Sequence, residues 1–173
     1  MKSIMYTFTT IFALLFFAWA VMSIVKAYDY NVSISSHISR AAISNTVELA
    51  EKELSTALQN IEERGMTSGN TGIIFKTPSK DVGFWYENLS QSLAELKSIS
   101  DDATQLEKTN ILMKLRESIT GPDNTVIEPS FISIYPNNLL YFIWGCMSAF
   151  LTWVFAVLSW FYSKSVRRKS RRY

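Results

Sequence analysis

A run of 24 residues without a charge, Leu139 to Tyr162 (LLYFIWGCMSAFLTWVFAVLSWFY), constrains this chain more than any other feature. An α-helix rises about 1.5 Å per residue, so about 20 apolar residues cross a hydrocarbon core of roughly 30 Å. The run meets that length. Pro136, Asn137 and Asn138 lead into it, and Lys164, Arg167, Arg168, Lys169, Arg171 and Arg172 follow. A flank this basic is expected to stay in the cytoplasm. Arg167, Arg168, Lys169, Arg171 and Arg172 are expected to contact lipid headgroups, at about 1 kcal/mol per basic residue on an anionic surface.

A second uncharged run extends from Ile4 to Val25, preceded by Lys2. Its 22 residues suit a retained signal-anchor helix, while Val25-Lys26-Ala27 has the small-residue spacing of a signal-peptidase site. The length of the run favours retention. Either reading sends residues 28–137 to the outer side. The charges agree: all 15 acidic residues lie between Asp29 and Glu128, against nine Lys or Arg in 27–137, a net charge of −6. The overall +2 therefore conceals an acidic centre and a basic tail. A basic tail beside a membrane helix reads as a topology signal rather than a nucleic-acid site.

The sequence thus predicts an all-α membrane protein. Residues 1–3 form a short cytoplasmic start, 4–26 the first transmembrane helix, 27–137 an extracytoplasmic helical domain, 138–163 the second transmembrane helix and 164–173 a basic cytoplasmic tail. The single cysteine, Cys146, lies in the second span, so the central segment has no disulfide. That points to a bacterial envelope protein rather than a secreted eukaryotic domain. The expected location is the inner membrane, N-in and C-in, with the loop in the periplasm.

Within the central segment, residues 44–64 carry apolar positions at Val47, Ala50, Leu54, Leu58 and Ile61, in steps of three and four. Ser44 or Asn45 is the expected cap, with Glu48 completing a capping box, and Gly65 the expected stop. Residues 65–81, with three Gly and one Pro, read as the membrane-distal turn, in which Ile73-Ile74-Phe75 forms a small apolar plug or, as the alternative, an exposed apolar tip for docking a partner. Trp85, Leu89, Leu93 and Leu96 continue as a returning helix. A break is expected near 100, with Ser100, Asp101 and Asp102 capping a new start and placing their charges in its first turn. Gly121-Pro122 ends it, and 123–138 reads as short extended pieces. The narrow stripe suits a coiled-coil-like hairpin. Its association residues are Val47, Leu54, Leu58, Ile61, Leu89, Leu93 and Leu96, with part of each face left for a second hairpin or a partner helix. Residues 28–42 are polar with scattered aliphatics, where Val32, Ile34 and Ile38 either continue a helix out of the membrane or make a short extended piece, and His37 reads as a solvated surface residue.

Neither span contains Asp, Glu, Lys, Arg or His, which argues against an ion pathway built from this chain alone. Gly145, Ala149, Thr152 and Ala156 form a small-residue face for helix packing in the membrane. Glycines in 65–81 do not match phosphate-binding spacing, a lone His offers poor metal chemistry, and no nucleophile, His and acid fall into a catalytic order. No catalytic, cofactor or metal residue is assigned.

The order of membrane helix, helical segment, Pro-containing stretch (Glu128-Pro129 through Tyr135-Pro136) and membrane helix resembles polysaccharide co-polymerases and capsule-export inner-membrane proteins. The resemblance covers topology and about 12 residues; the central segment is shorter than in that family and lacks an α/β base domain. The leading expectation is a non-enzymatic inner-membrane protein acting through protein–protein interaction in an assembly, accessory or exclusion role. Its partners would be lipids and a homo-oligomer or membrane-protein complex, not nucleic acid. The alternatives are a sensor-like periplasmic ligand-binding hairpin and a small protein like the co-polymerases.

Overall fold

The computed structural model describes residues 2–100 and 102–170, and side chains within 3–100 and 102–164. Six α-helices account for most of these residues: α1 (Lys2–Tyr30), α2 (Ser36–Ala42), α3 (Val47–Glu63), α4 (Val82–Lys97), α5 (Gln105–Ile119) and α6 (Asn138–Ser170). No named strand occurs among the described residues, only isolated bridges between Asn70 and Asp81 and between Thr120 and Val126. The chain divides into two compact units. One contains residues up to Val25 and from Leu139 onward; the other is Lys26–Asn138.

Two helices are long and apolar enough to cross a membrane. One helical stretch covers Ser3–Ala42, with a mean hydropathy of 2.2 over its most apolar window; the other covers Asn138–Lys164, at 1.8.

In the Lys26–Asn138 unit the polar-looking residues 28–42 are helical. After Tyr30 a single π turn, Asn31–Ser35, leads into α2. The wider turn leaves carbonyls for other partners, and Asn60 Nδ2 donates to Ser33 O at 2.9 Å. Tyr30, Ile34, Ile38 and Ala41, spaced by four, four and three, are all buried. They face the stripe of α3, where Val47, Ala50, Leu54, Ala57, Leu58 and Ile61 are buried as well. Val82, Trp85, Leu89 and Leu96 of α4 and Leu115 and Ile119 of α5 complete the core.

This corrects the hairpin expectation. The stripe of Val47, Leu54, Leu58 and Ile61, with Leu89 and Leu96, is covered by the chain's own α2 and α5, and Leu93 is partly buried against the same core. A helical segment at 28–42 and a separate α5 provide further walls, so these residues pack in the interior of the Lys26–Asn138 unit.

The ends of the helices follow capping chemistry, at positions offset from those expected. Thr46, not Ser44 or Asn45, caps α3: it is extended and accepts from Leu49 N. Ser44 instead turns its hydroxyl back to donate to Arg40 O at 2.7 Å. Gly65 ends α3 as expected, at φ +66°. Gly65 N donates to Glu62 O and Met66 N to Ile61 O, a Schellman pair that swings Met66 into the core. Asp81 caps α4. The break near 100 is present, but Thr104 caps α5 through a full capping box with Glu107, and these hydrogen bonds hold the Glu107 carboxyl below its usual range. Asp102 lies in the turn before the helix, not in its first turn, and Asp101 lies outside the described residues.

Two further expectations change. Ile74 and Phe75 are 72% and 74% exposed, so the distal loop holds no apolar plug. Residues Ile132–Ile134 form a 3-10 turn after a left-handed Phe131 rather than an extended piece. Leu54 is fully buried, so Leu54→Ala should cost about 2–5 kcal/mol. Leu106, exposed on α5, should tolerate Ala within about 0.5 kcal/mol. Denaturant titrations of the purified chain followed by circular dichroism should show the earlier loss of helix for Leu54→Ala alone.

Candidate functional site

In the unit made by the two chain ends, α6 presents Tyr141, Gly145, Ser148, Thr152, Phe155 and Ser159 in steps of four and three, all of them buried or half-buried. Trp19 of α1 fills the notch at Gly145. A Cβ added there would fall 2.7 Å from Trp19 Cε2, and the indole Nε1 donates to Tyr141 O at 2.9 Å. Phe155 stacks on Phe8 and Phe12, with ring centroids 5.2 and 5.5 Å away. The hydroxyls of Ser148 and Thr152 donate to carbonyls one turn back on their own helix. Of the four packing residues expected from sequence, Gly145 and Thr152 lie in this seam. Ala149 and Ala156 are exposed, as is Cys146. The Arg167, Arg168 and Lys169 side chains and the whole of Arg171 and Arg172 lie outside the described residues.

The Lys26–Asn138 unit contains buried polar contacts that sequence reasoning missed. Glu53, on the inner face of α3 and 4% exposed, accepts from His37 Nδ1 at 2.6 Å and from Arg40 at 2.6 Å. His37 is therefore a half-buried partner of an interior carboxylate, not a solvated residue. Its position one turn before Arg40, sixteen residues upstream of Glu53, carries no short-range signal. Arg64 bonds both Asp29, at 2.8 Å, and the Ser33 hydroxyl, at 2.7 Å. Tyr30 Oη donates to Glu128 Oε2 at 2.9 Å. Loss of water around Glu128 raises its carboxyl above the ordinary value, although hydrogen bonds from Tyr30 and Ser35 oppose the shift. Burial, with the Glu128 charge beside it, pushes the Tyr30 phenol up as well.

Glu128 also borders a cleft of about 570 Å³. Its floor and walls come from α4 (Phe84, Trp85, Leu89), from the end of α5 (Ile119) and from the return of the chain after it (Ile127, Pro129). Two contacts fix that return. Trp85 Nε1 donates to Ile127 O at 3.0 Å, and Ile127 N to Ile119 O at 2.9 Å. Asn88 and Ser118 are joined across the α4–α5 side by Asn88 Nδ2 donating to Ser118 O. Asp81 lines the same cleft, and its carboxylate accepts from Phe84 N at 3.0 Å. Phe84 and Ile127 remain 69% and 52% exposed. Among the described residues no group of three or more His, Cys, Asp or Glu is placed to hold a metal ion.

Two predictions test these contacts. Because the folded state binds the Glu128 proton more tightly than the unfolded chain, its contribution is full below about pH 4.5 and is lost as pH rises through the elevated folded value. Glu128→Gln keeps an acceptor for Tyr30 and removes the charge. Its melting temperature should match wild type near pH 4 and exceed it increasingly towards neutrality. In the other unit, Gly145→Leu should displace the Trp19 ring and cost about 1–3 kcal/mol. Adding Trp19→Ala should recover part of that loss in a thermal-stability cycle in detergent.

No protein-family model, no curated protein and no solved structure matches this chain, so its functional reading rests on its own residues.

Proposed function

We propose that this chain is a two-span inner-membrane protein, N-in and C-in, with residues 27–137 in the periplasm. It acts without catalysis, by protein–protein contact in an assembly, accessory or exclusion role in the cell envelope. One observation carries the reading: where apolar surface remains after the chain has folded. The stripe of α3 is consumed in its own core. Along α6 an apolar face with Cys146, Ala149, Trp153 and Ala156 stays uncovered. Small residues on an uncovered membrane helix let another helix approach closely. The contact surface is therefore assigned to the outer face of α6, with a second copy or another membrane protein against it. The basic residues after Lys164 hold the cytoplasmic end at anionic headgroups.

Reporter fusions at Gly72 and after Tyr173 should report opposite compartments; a cytoplasmic signal from both would remove the topology. Cys146 is the chain's only cysteine and is exposed, so a bifunctional maleimide applied to native membranes reads the α6 face directly. A cross-linked dimer or a defined heteromeric band, lost on Ala149→Leu, is the expected result. A protein that stays monomeric in membranes at every expression level, and captures no partner, would rule out the contact reading.

A further inference from the structure

We propose that the cleft between α4 and the chain's return after α5 binds a small amphiphilic cation, an apolar body carrying one protonated or quaternary amine. Its volume of about 570 Å³ falls within the roughly 300–1,000 Å³ typical of small-molecule sites, which are apolar surfaces with a few placed polar groups. The apolar part is supplied by Phe84, Trp85, Leu89, Ile119 and Ile127. Phe84 and Ile127 leave most or half of their surface in water at the rim, where a ligand body would cover them.

The charge of the lining selects the head group. Among the described residues the charged groups lining it are Asp81 and Glu128, with no Lys, Arg or His. An anionic ligand would meet two carboxylates with no counter-charge, and a neutral one would leave both carboxylates to be desolvated uncompensated. An ammonium group offsets that cost. The donors identified at these carboxylates are neutral: the Phe84 amide at Asp81 and the Tyr30 and Ser35 hydroxyls at Glu128. Partial loss of water raises the Glu128 carboxyl above its ordinary value, and a cation beside it would favour the charged form. The aromatic faces of Phe84 and Trp85 are suited to the same cation. The net charge of −6 over residues 27–137 favours cations in the surrounding field. The inference is independent of the partner of α6 and of the side of the membrane on which the domain lies.

The test uses the full chain in nanodiscs of zwitterionic lipid, with empty nanodiscs as the blank, and isothermal titration of three probes of one shape: 4-phenylbutylammonium, 4-phenylbutanol and 4-phenylbutyrate. The expected result is saturable binding of one ammonium per chain, with the alcohol and the carboxylate at least about tenfold weaker. Asp81→Asn retains a good helix cap and Glu128→Gln retains the Tyr30 acceptor. Both should keep the circular dichroism spectrum and weaken the ammonium several-fold. Phe84→Ala, at an exposed position, should weaken it as well. Equal binding of the alcohol or carboxylate, or ammonium binding unchanged in both carboxylate variants, would overturn the proposal. So would failure of all three probes to bind above the blank.

Discussion

The Lys26–Asn138 unit depends on the packing of α2 against α3. Tyr30, Ile34, Ile38 and Ala41 put one buried side chain on nearly every turn between the end of α1 and α2. Opposite them α3 buries Ala50, Leu54, Ala57 and Ile61. Alternating small and large residues on the facing stripes allows interdigitation at interior density. A helix pair alone would leave the far side of α3 wet, and α4 and α5 close it through Trp85, Leu89, Leu96, Leu115 and Ile119. Each element then sits where the stripe of α3 requires a neighbour.

Polar contacts fix how these elements meet. Asn60 donates to the Ser33 carbonyl in the π turn, and Arg64 secures the same turn through Ser33 and Asp29. Glu53 lies in the interior with both carboxylate oxygens engaged by α2. Such an interior pair gives little net stability, but an unpartnered charge there is strongly unfavourable. It therefore penalises any other register of α2 on α3. Arg116 of α5 donates to Ala42 O at 3.0 Å, satisfying a carbonyl at the end of α2.

The two chain ends follow a different logic. Their uncharged runs meet through shape, a small residue receiving a large one. The Trp19 ring occupies the gap left by Gly145, its N–H finds the Tyr141 carbonyl, and further along the two helices Phe155 stacks on Phe8 and Phe12. A small residue can thus receive a large aromatic rather than a second backbone. That is why Gly145 serves the contact within the chain while Ala149 and Ala156 face outward.

Period and punctuation in the sequence determined the elements themselves: two helices with uncharged runs of membrane length, the stripe of α3, the stop at Gly65 and the interruption near 100. These are local properties, set by helical rise, by the αL tolerance of glycine and by the spacing of apolar residues. The exact caps, Thr46 and Thr104 rather than their near neighbours, were less legible, because several adjacent Ser, Thr, Asn and Asp residues compete and tertiary placement selects one. Residues 28–42 looked polar because Ser, His and Arg surround Ile34 and Ile38, yet their spacing already matched a buried helix. What only the tertiary structure decided was which surfaces meet. It brought Glu128 to Tyr30 across 98 residues, His37 to Glu53, and the return after α5 to Trp85, and with these contacts it created the cleft. Pairings between distant segments depend on how several apolar faces are buried together, and no single stretch of sequence carries that information.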